Sequence, residues 1–322
     1  MIRRQFLVAA GAASAASMLG RSALAQAQQF SIATGTTGAV YYPLGGAMAN
    51  ILTKKIPGYA VTAEATAGSV ANMHMIRDGK AHMALTQCDT AYDAIKGVDK
   101  FVGKPVESRT LCVVYPNLVH FVTMEGTGIN KLSDIKGKRI STASPVSGSE
   151  VMALRIMDEL GIKTSDIKRE RLAPAESTNA MKDGKLDGYF FNGGPPVAAI
   201  TDLAATQGIK IKLVANADMV PALNKKYGPV FAASEIKPKA YPNQDAAVPV
   251  IAIWNILVVP ASMPDAQAYS IIKTLWESQP ELVATHKAAQ DMLPENQKAA
   301  NSSVPFHPGA LKYFAEKGIK LS

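Results

Sequence analysis

Four loops with the same unusual composition are the part of the sequence best suited to chemistry. Each joins an apolar, β-branched run to a helical pattern and combines glycine with serine, threonine or asparagine. Glycine lets a backbone approach a ligand closely, and the polar residues cap the helix and offer hydroxyl or amide groups. A helix N-terminus presents free N–H groups that favour a carboxylate or a phosphate. The loop residues that we expect to bind a ligand are Thr36, Thr37, Gly38, Thr66, Gly68, Ser69, Ser144, Ser147, Gly148, Ser149, Asn192, Gly194 and Pro195.

Each loop, taken alone, is also explained as a well-capped turn between a strand and a helix. In open α/β sheets such loops lie at the carboxyl ends of the strands, where ligands bind. Four loops of this kind, two in each half of the predicted fold, therefore favour a binding cleft.

Four further residues lie close to these loops and are candidates for the walls of the cleft. Tyr41 and Tyr42 come one turn into the first helix, where one ring can face the cleft while the other packs. Asn72 follows the second loop, and Gln87 ends the third predicted strand. Either tyrosine alone is equally explained as a core residue. Asn117 and His120 fall at a predicted hinge, where a lone histidine is more often structural than a ligand.

Catalytic and metal-binding motifs are missing from the sequence. It contains no G-x-S-x-G, no Walker-type phosphate loop and no G-x-G-x-x-G. The five histidines include no i, i+4 pair and no H-E-x-x-H. A cleft rich in glycine, serine, threonine and asparagine suits reversible capture better than catalysis. We predict no enzymatic activity, no cofactor and no metal site.

The N-terminus has the layout of a secretory signal peptide. Arg3 and Arg4 form a basic region, residues 6–20 are apolar or small, and an A-x-A cleavage site ends at Ala25. We therefore expect export to the periplasm with cleavage near Ala25. The paired arginines also fit a twin-arginine signal, although ordinary signals contain such pairs too, so the route of export stays open.

Composition excludes two other classes of protein. The predicted signal has three arginines and no acid, so its loss lowers the net charge from +8 to +5. The remaining lysines are scattered, which does not favour a nucleic-acid partner. The most apolar stretch, 246–261, is interrupted by Pro249, Asn255 and Pro260 and suits a buried strand, not a membrane span.

The sequence contains two cysteines. Cys88 and Cys112 are compatible with one disulfide or with two buried thiols.

The elements that position the loops alternate between strand and helix, which predicts an α/β fold with mostly parallel pairing. Predicted strands cover 30–33, 61–65, 83–86, 111–115, 119–124, 139–142, 189–191, 210–214 and 250–259. Predicted helices cover 41–54, 70–78, 149–160, 175–183, 196–205, 221–226, 265–278, 280–292 and 308–317. The runs 119–124 and 251–259 are two extended crossings, which suit adjacent hinge strands between two lobes. We place one lobe at 26–119 plus 255–322 and the other at 120–254.

Several motifs resemble the TAXI family, the solute receptors of one branch of TRAP transporters. The resemblance rests on TGTTGAVYYPLGG at 34–46, TAGSVAN at 66–72, DGYFFNGGPP at 187–196 and PFHPGA at 305–310. The segment LSDIKGKRI at 132–140 is similar to the entry into the second lobe of type II periplasmic binding proteins in general. These matches cover nearly all of the chain after the predicted signal.

The resemblance implies a type II periplasmic binding-protein fold, with two mixed, mostly parallel sheets flanked by helices and joined by hinge strands. It also implies hinge closure on a small organic acid or amino acid, and delivery to TRAP permease subunits, fused or separate, driven by an ion gradient. The implied ligand is a carboxylate similar to glutamate or 2-oxoglutarate, bound by loops 36–38, 66–69, 144–149 and 192–195. Pro145 and Val146 depart from the glycine- and serine-rich run expected there. A secreted module that senses the same ligand for a membrane signalling receptor is the alternative.

Overall fold

The computed structural model describes residues 27–321, so the signal predicted at 1–25 lies outside the described residues. Ten strands and eleven α-helices occur among them. The strands are β1 (Gln28–Ala33), β2 (Tyr59–Glu64), β3 (Met83–Gln87), β4 (Ser108–Met124), β5 (Arg139–Ser141), β6 (Lys168–Glu170), β7 (Gly188–Gly193), β8 (Ile211–Leu213), β9 (Ala232–Ile236) and β10 (Val248–Pro260). The helices are α1 (Tyr41–Lys55), α2 (Ser69–Arg77), α3 (Cys88–Lys96), α4 (Gly148–Glu159), α5 (Pro174–Lys182), α6 (Ala198–Ala205), α7 (Val220–Tyr227), α8 (Asp265–Glu277), α9 (Gln279–Thr285), α10 (Ala299–Ser302) and α11 (Pro308–Glu316).

Two long strands, β4 and β10, run antiparallel to each other through both lobes. Ser108 at the start of β4 pairs with Pro260, and Leu118 pairs with Ala252. The pairing shifts register between Asn255 and Ile256. Pro116 lies close to this irregularity, where a residue without an N–H group is tolerated in a strand. The two strands predicted at 111–115 and 119–124 are therefore one continuous strand.

Because β4 and β10 are shared, the predicted two sheets are joined into one ladder with the order β2-β1-β3-β10-β4-β7-β5-β6. The outer pairs, β1 with β2 and β3, and β5 with β6 and β7, are parallel. The pairs made by β4 and β10 are antiparallel, including those with β8 and β9. The sheet is thus mixed, with its parallel parts in the two lobes and its antiparallel part at the hinge.

Each lobe has a hydrophobic core of its own. The larger cluster packs α1, α2, α8 and α11 against β1–β3 and the outer halves of β4 and β10. Two further clusters lie in the other lobe, one under α4 and α7 and one under α5 and α6. Val151 of α4 is buried against the larger cluster, so this helix contacts both lobes.

Five elements differ from the prediction, and one of them is α10, which no predicted helix covers. The helix α3 follows β3 without a loop, so no glycine or proline marks its start. The strand β6 has the sequence KRE, and β9 is exposed at four of its five residues, as charged or polar edge strands often are. The helix predicted over 280–292 ends at Thr285, and a 3-10 helix follows over Lys287–Asp291.

Candidate functional site

A cavity lies between the two lobes at the hinge. Its volume is about 450 Å3, including space that is open to solvent. It is lined by Gly35, Thr36, Ala39, Val40, Tyr41, Ala67, Gly68, Ser69, Gln87, Tyr115, Asn117, Ala143, Ser144, Ser147, Gly148, Ser149, Pro174, Phe191 and Asn192. Glycines, hydroxyls and amides therefore dominate its walls. The described lining contains no Asp, Glu, Lys, Arg, His or Cys side chain.

The lobes are closed over this cavity. The Asn192 amide of β7 donates to Gln87 Oε1 of β3 at 3.1 Å. The backbone N–H of Ala71 in α2 donates to the carbonyl of Val146, also at 3.1 Å. A Cβ atom placed on Gly148 would lie 2.5 Å from Gln87 Nε2 and 2.9 Å from Ser69 Oγ. Glycine at 148 is therefore what lets α4 reach the opposite wall.

Two helices, α2 and α4, begin at the cavity from opposite lobes. Gly68 precedes α2 with φ +120°, a conformation that L residues rarely adopt, and a Cβ atom placed on it would lie 3.5 Å from Cβ of Ser147. Ser147 caps α4 by accepting the N–H of Glu150 at 3.0 Å. The first N–H groups of a helix have no acceptor within the helix itself, and among those of α2 and α4 the N–H groups of Ala71 and Glu150 are paired as described above. Two positive helix ends therefore converge on one cavity, an arrangement that favours an anion.

The floor of the cavity is a hydrogen-bonded group on the two hinge strands. The Asn255 amide donates to the Tyr115 carbonyl at 3.0 Å. The Asn255 carbonyl oxygen accepts from the Asn117 amide at 3.0 Å and from the Tyr41 hydroxyl. Burial raises the pKa of both Tyr41 and Tyr115 well above the usual value, so both phenols are neutral.

Three polar atoms of the lining have no hydrogen-bond partner among residues 27–321. They are the Tyr115 hydroxyl, Asn117 Oδ1 and Asn192 Oδ1. All three residues are more than nine-tenths buried. Because an unpaired buried polar atom costs about 1–3 kcal/mol, these atoms mark a place for a polar ligand.

Of the seventeen residues that we predicted for the site, the structure brings ten into the lining. They are Thr36, Tyr41, Gly68, Ser69, Gln87, Ser144, Ser147, Gly148, Ser149 and Asn192.

The other seven lie outside the lining, and two have clear structural roles. Asn72 is fully buried, and its amide donates to the carbonyls of Thr34 and Leu85 at 2.6 and 2.7 Å. Its carbonyl oxygen accepts from the Thr66 hydroxyl at 2.6 Å. The pair thus joins α2 to two strands of the sheet.

The remaining five face other surroundings. Thr37 and Tyr42 are exposed on the surface. A Cβ atom placed on Gly38 would lie 3.4 Å from Cβ of Ala175 in α5. A Cβ atom placed on Gly194 would lie 3.0 Å from Cδ2 of Tyr115, and Gly194 and Pro195 both line a separate groove beside Pro116. These positions follow from the turns themselves, since successive residues of a short loop face different directions.

Tyr115, Asn117 and Phe191 line the cavity although we did not select them from the sequence. A tyrosine or a phenylalanine in an apolar strand is typical of a core position. We placed Asn117 at the hinge but did not select it as a binding residue. Its polar amide within an apolar run is the signal that could have identified it. Pro145 and Val146 are not part of the lining, so the departure from the TAXI pattern leaves the wall to Ser144 and Ser147.

His120 is a structural residue of the hinge. Its Nδ1 lies 2.8 Å from the Leu118 carbonyl, and its Nε2 lies 2.8 Å from the Tyr241 hydroxyl. Burial lowers the pKa of His120 to about 4, so the ring is neutral. One tautomer, protonated at Nδ1, satisfies both contacts.

An ion-pair cluster joins the lobes beside the cavity. Arg155 of α4 donates to Asp89 of α3 at 2.9 Å and also to Asp93. All three side chains are buried, and the guanidinium lies 4.7 Å from the centre of the Tyr227 ring. Asp89 is the second residue of α3, which begins at Cys88 directly after Gln87. Its carboxylate pairs with Arg155 of the other lobe.

Three further features concern the described residues as a whole. Cys88 and Cys112 are buried free thiols. Residues 27–321 contain no group of three or more His, Cys, Asp or Glu side chains arranged to hold a metal ion. Within the same residues, no helix has both the length and the apolar character needed to cross a bilayer.

Comparison with known proteins gives one family and a common fold. The sequence pattern of the NMT1-like family matches residues 32–318. The periplasmic binding protein BugD is 12% identical, over 91% of this chain and 98% of that chain, with a TM-score of 0.55. A protein of Bordetella bronchiseptica RB50 is 16% identical over 92% and 84%, with a TM-score of 0.49. The alkanesulfonate-binding protein SsuA from Xanthomonas axonopodis pv. citri, bound to MOPS, is 14% identical over 89% and 83%, with a TM-score of 0.48. The likeness to BugD identifies the fold as that of a two-lobed periplasmic binding protein.

Proposed function

The chain belongs to the NMT1-like family, and on that premise we propose that it is a periplasmic solute receptor for a membrane transporter. It captures a small ligand by closing two lobes and then delivers that ligand to the membrane components. The observation that carries the proposal is the cavity between the lobes, where unpaired polar atoms and two helix N-termini meet. Such a cavity binds a small polar molecule and releases it when the hinge opens.

The ligand in this proposal bears a carboxylate, as an amino acid or a dicarboxylate such as glutamate or 2-oxoglutarate does. The first residues of α2 and α4, Ser69 and Gly148, both line the cavity. Their helix ends together offer backbone N–H groups to an anion. Since no basic side chain is part of the described lining, the backbone and the hydroxyls of Ser69 and Ser149 would have to hold the carboxylate.

The transporter in this proposal is a TRAP permease of the TAXI type. The support is the sequence resemblance at 34–46 and 66–72, whose residues Gly68 and Ser69 face the cavity. Reconstitution with a TRAP permease in proteoliposomes tests this part. Uptake should require this protein and an ion gradient, and uptake driven by ATP through an ABC-type permease would contradict it.

We propose binding without catalysis. The titratable side chains of the described lining are those of Tyr41 and Tyr115, and burial raises the pKa of both, which makes neither a useful base at neutral pH. We also propose that the moving bodies are residues 26–119 plus 255–322 and residues 120–254.

A thermal-shift screen of residues 26–322 tests the receptor function. The protein is first unfolded and refolded to release any copurified ligand, and then mixed with amino acids, dicarboxylates, oxo acids and sugars. A hundredfold excess of ligand over the dissociation constant should stabilise the native state by about 2.7 kcal/mol. A clear shift with an acid supports the proposal, whereas shifts with sugars alone would contradict the carboxylate assignment.

A further inference from the structure

The carbonyl oxygen of Asn117 is an acceptor whose orientation is fixed by its neighbours. Asn255 can donate to the Tyr115 carbonyl only through Nδ2, because a carbonyl accepts and cannot donate. Asn255 Oδ1 must therefore face the Tyr41 hydroxyl and the amide of Asn117. This in turn requires Nδ2 of Asn117 to face Asn255. The Oδ1 atom of Asn117 is left without a donor among the described residues.

Neither of the other two unpaired atoms of the cavity is fixed in this way. Asn192 bonds to Gln87 through Nδ2, but rotating both amides would exchange the donor and the acceptor. The pair then presents an unpaired donor in place of an acceptor. The Tyr115 hydroxyl both donates and accepts, so it fits a ligand oxygen of either kind. Asn117 Oδ1 is thus the atom that discriminates.

We propose that Asn117 is a specificity-determining residue that selects ligands with an O–H or N–H donor beside the carboxylate. The inference rests on the proposed function, since it concerns the same cavity. A hydroxy acid supplies a proton to Asn117 Oδ1. An oxo acid of the same skeleton offers a second acceptor and leaves the buried Asn117 oxygen unpaired. A site built to bind a donor rejects the analogue that lacks it.

Matched pairs of acids test the inference by isothermal titration of refolded residues 26–322. The pairs are lactate with pyruvate and 2-hydroxyglutarate with 2-oxoglutarate, which differ only in a hydroxyl or an oxo group at carbon 2. We expect the hydroxy acid of a pair that binds to be tighter by about tenfold or more, the usual size of one net hydrogen bond in a buried site. Equal binding, or tighter binding of the oxo acid, would overturn the inference.

Two variants separate this role from a structural one. Asn117→Leu removes the acceptor, and Asn255→Leu keeps Asn117 but frees its amide to rotate. Circular dichroism checks that both variants are folded. In both, the ratio of the dissociation constants of the oxo acid and the hydroxy acid should fall towards one. A preference that persists unchanged in a folded Asn117→Leu protein would also overturn the inference. If no acid of the wider thermal-shift screen, amino acids included, binds the wild-type protein, the proposed function itself fails, and the inference fails with it.

Discussion

At the scale of single residues, the same side chain serves two different purposes in this protein. Asn72 has its amide satisfied by buried carbonyls, whereas Asn192 leaves its carbonyl oxygen unpaired in the cavity. The first arrangement stabilises the fold, and the second is available to a ligand. Residue type alone therefore does not identify a binding residue.

Alanine at Asn72 should lower the stability of the protein, whereas alanine at Asn192 should lower its affinity for the ligand. Asn72→Ala removes the buried hydrogen bonds to the Thr34 and Leu85 carbonyls and to the Thr66 hydroxyl, so the free energy of unfolding should fall by about 2–4 kcal/mol. Asn192→Ala should change the free energy of unfolding by less than about 1 kcal/mol while weakening ligand binding. Urea denaturation and isothermal titration measure the two quantities. A destabilised Asn192→Ala protein with unchanged affinity would contradict this assignment.

The two cysteines should be unreactive in the native protein. Both are buried, and burial raises the pKa of Cys112 to about 12 and that of Cys88 still higher. The Cys88 thiol also donates to the Trp254 carbonyl at 3.1 Å. A disulfide-exchange reagent such as DTNB should therefore label neither thiol before unfolding and both in guanidinium chloride. Finding no free thiol after unfolding would show a disulfide instead.

At the scale of helices and strands, the Arg155 cluster couples α4 to α3 across the cleft. Burial raises the pKa of Asp93 to about 7 and also raises that of Asp89. Asp99, on the adjacent 3-10 helix, adds a further negative charge near Asp93. Two buried acids share one guanidinium, so the ionised form of the cluster carries excess negative charge.

This cluster should make the protein more stable as the pH falls from 8 to 6. A carboxyl whose pKa is higher in the native state than in the unfolded state binds more protons when folded. Protonation of Asp93 therefore stabilises the native state at low pH, and this stabilisation is lost as the pH rises through about 7. The free energy of unfolding falls by at most about 1.4 kcal/mol per pH unit. Urea denaturation at both pH values, compared between the wild type and Asp93→Asn, measures it. The lowered pKa of His120 makes the free energy of unfolding fall as the pH falls, which is the opposite direction. This effect is the same in the wild type and in Asp93→Asn, so the comparison removes it. The same pH dependence in both proteins would refute this role of Asp93.

The sequence predicts the strands and helices that have clear apolar patterns and turn residues at their ends. The predicted ends of β1, α1 and β10 lie within two residues of the ends observed in the structure. It misses α3, because the chain passes from β3 into the helix at Cys88 without a break. It also misses the one-turn helix α10 and the edge strands β6 and β9. All three residues of β6 are charged and four of the five residues of β9 are exposed, so neither shows the alternation that marks a half-buried strand.

The site is predicted less completely, because its floor depends on contacts between distant residues. Gly68, Ser69 and Gly148 belong to local loop motifs and were identified from composition. Asn117 pairs with Asn255, which lies 138 positions later, so its fixed orientation has no local signal. Pairing between the hinge strands is what brings these amides together.

At the scale of the whole molecule, two separate cores are joined by two continuous strands. Each lobe has its own hydrophobic core, which supports our proposal that it moves as a unit when β4 and β10 bend. The contacts described across the cleft are the hydrogen bonds of Asn192 and Ala71, the ion pairs of Arg155 and the apolar contact of Val151. Capture by closure of the lobes at this cavity is the central claim.

Isothermal titration of Gly148→Ala against Gly46→Ala tests this claim most directly, using the acid that gives the largest thermal shift. The added methyl at 148 meets Gln87 and Ser69 of the opposite lobe, whereas a methyl at 46 meets nothing within 4 Å. We expect Gly148→Ala to weaken binding by at least about tenfold, or 1.4 kcal/mol. We expect Gly46→Ala, also in a helix, to bind as the wild type does. Wild-type affinity in a folded Gly148→Ala protein would contradict capture by closure at this cavity.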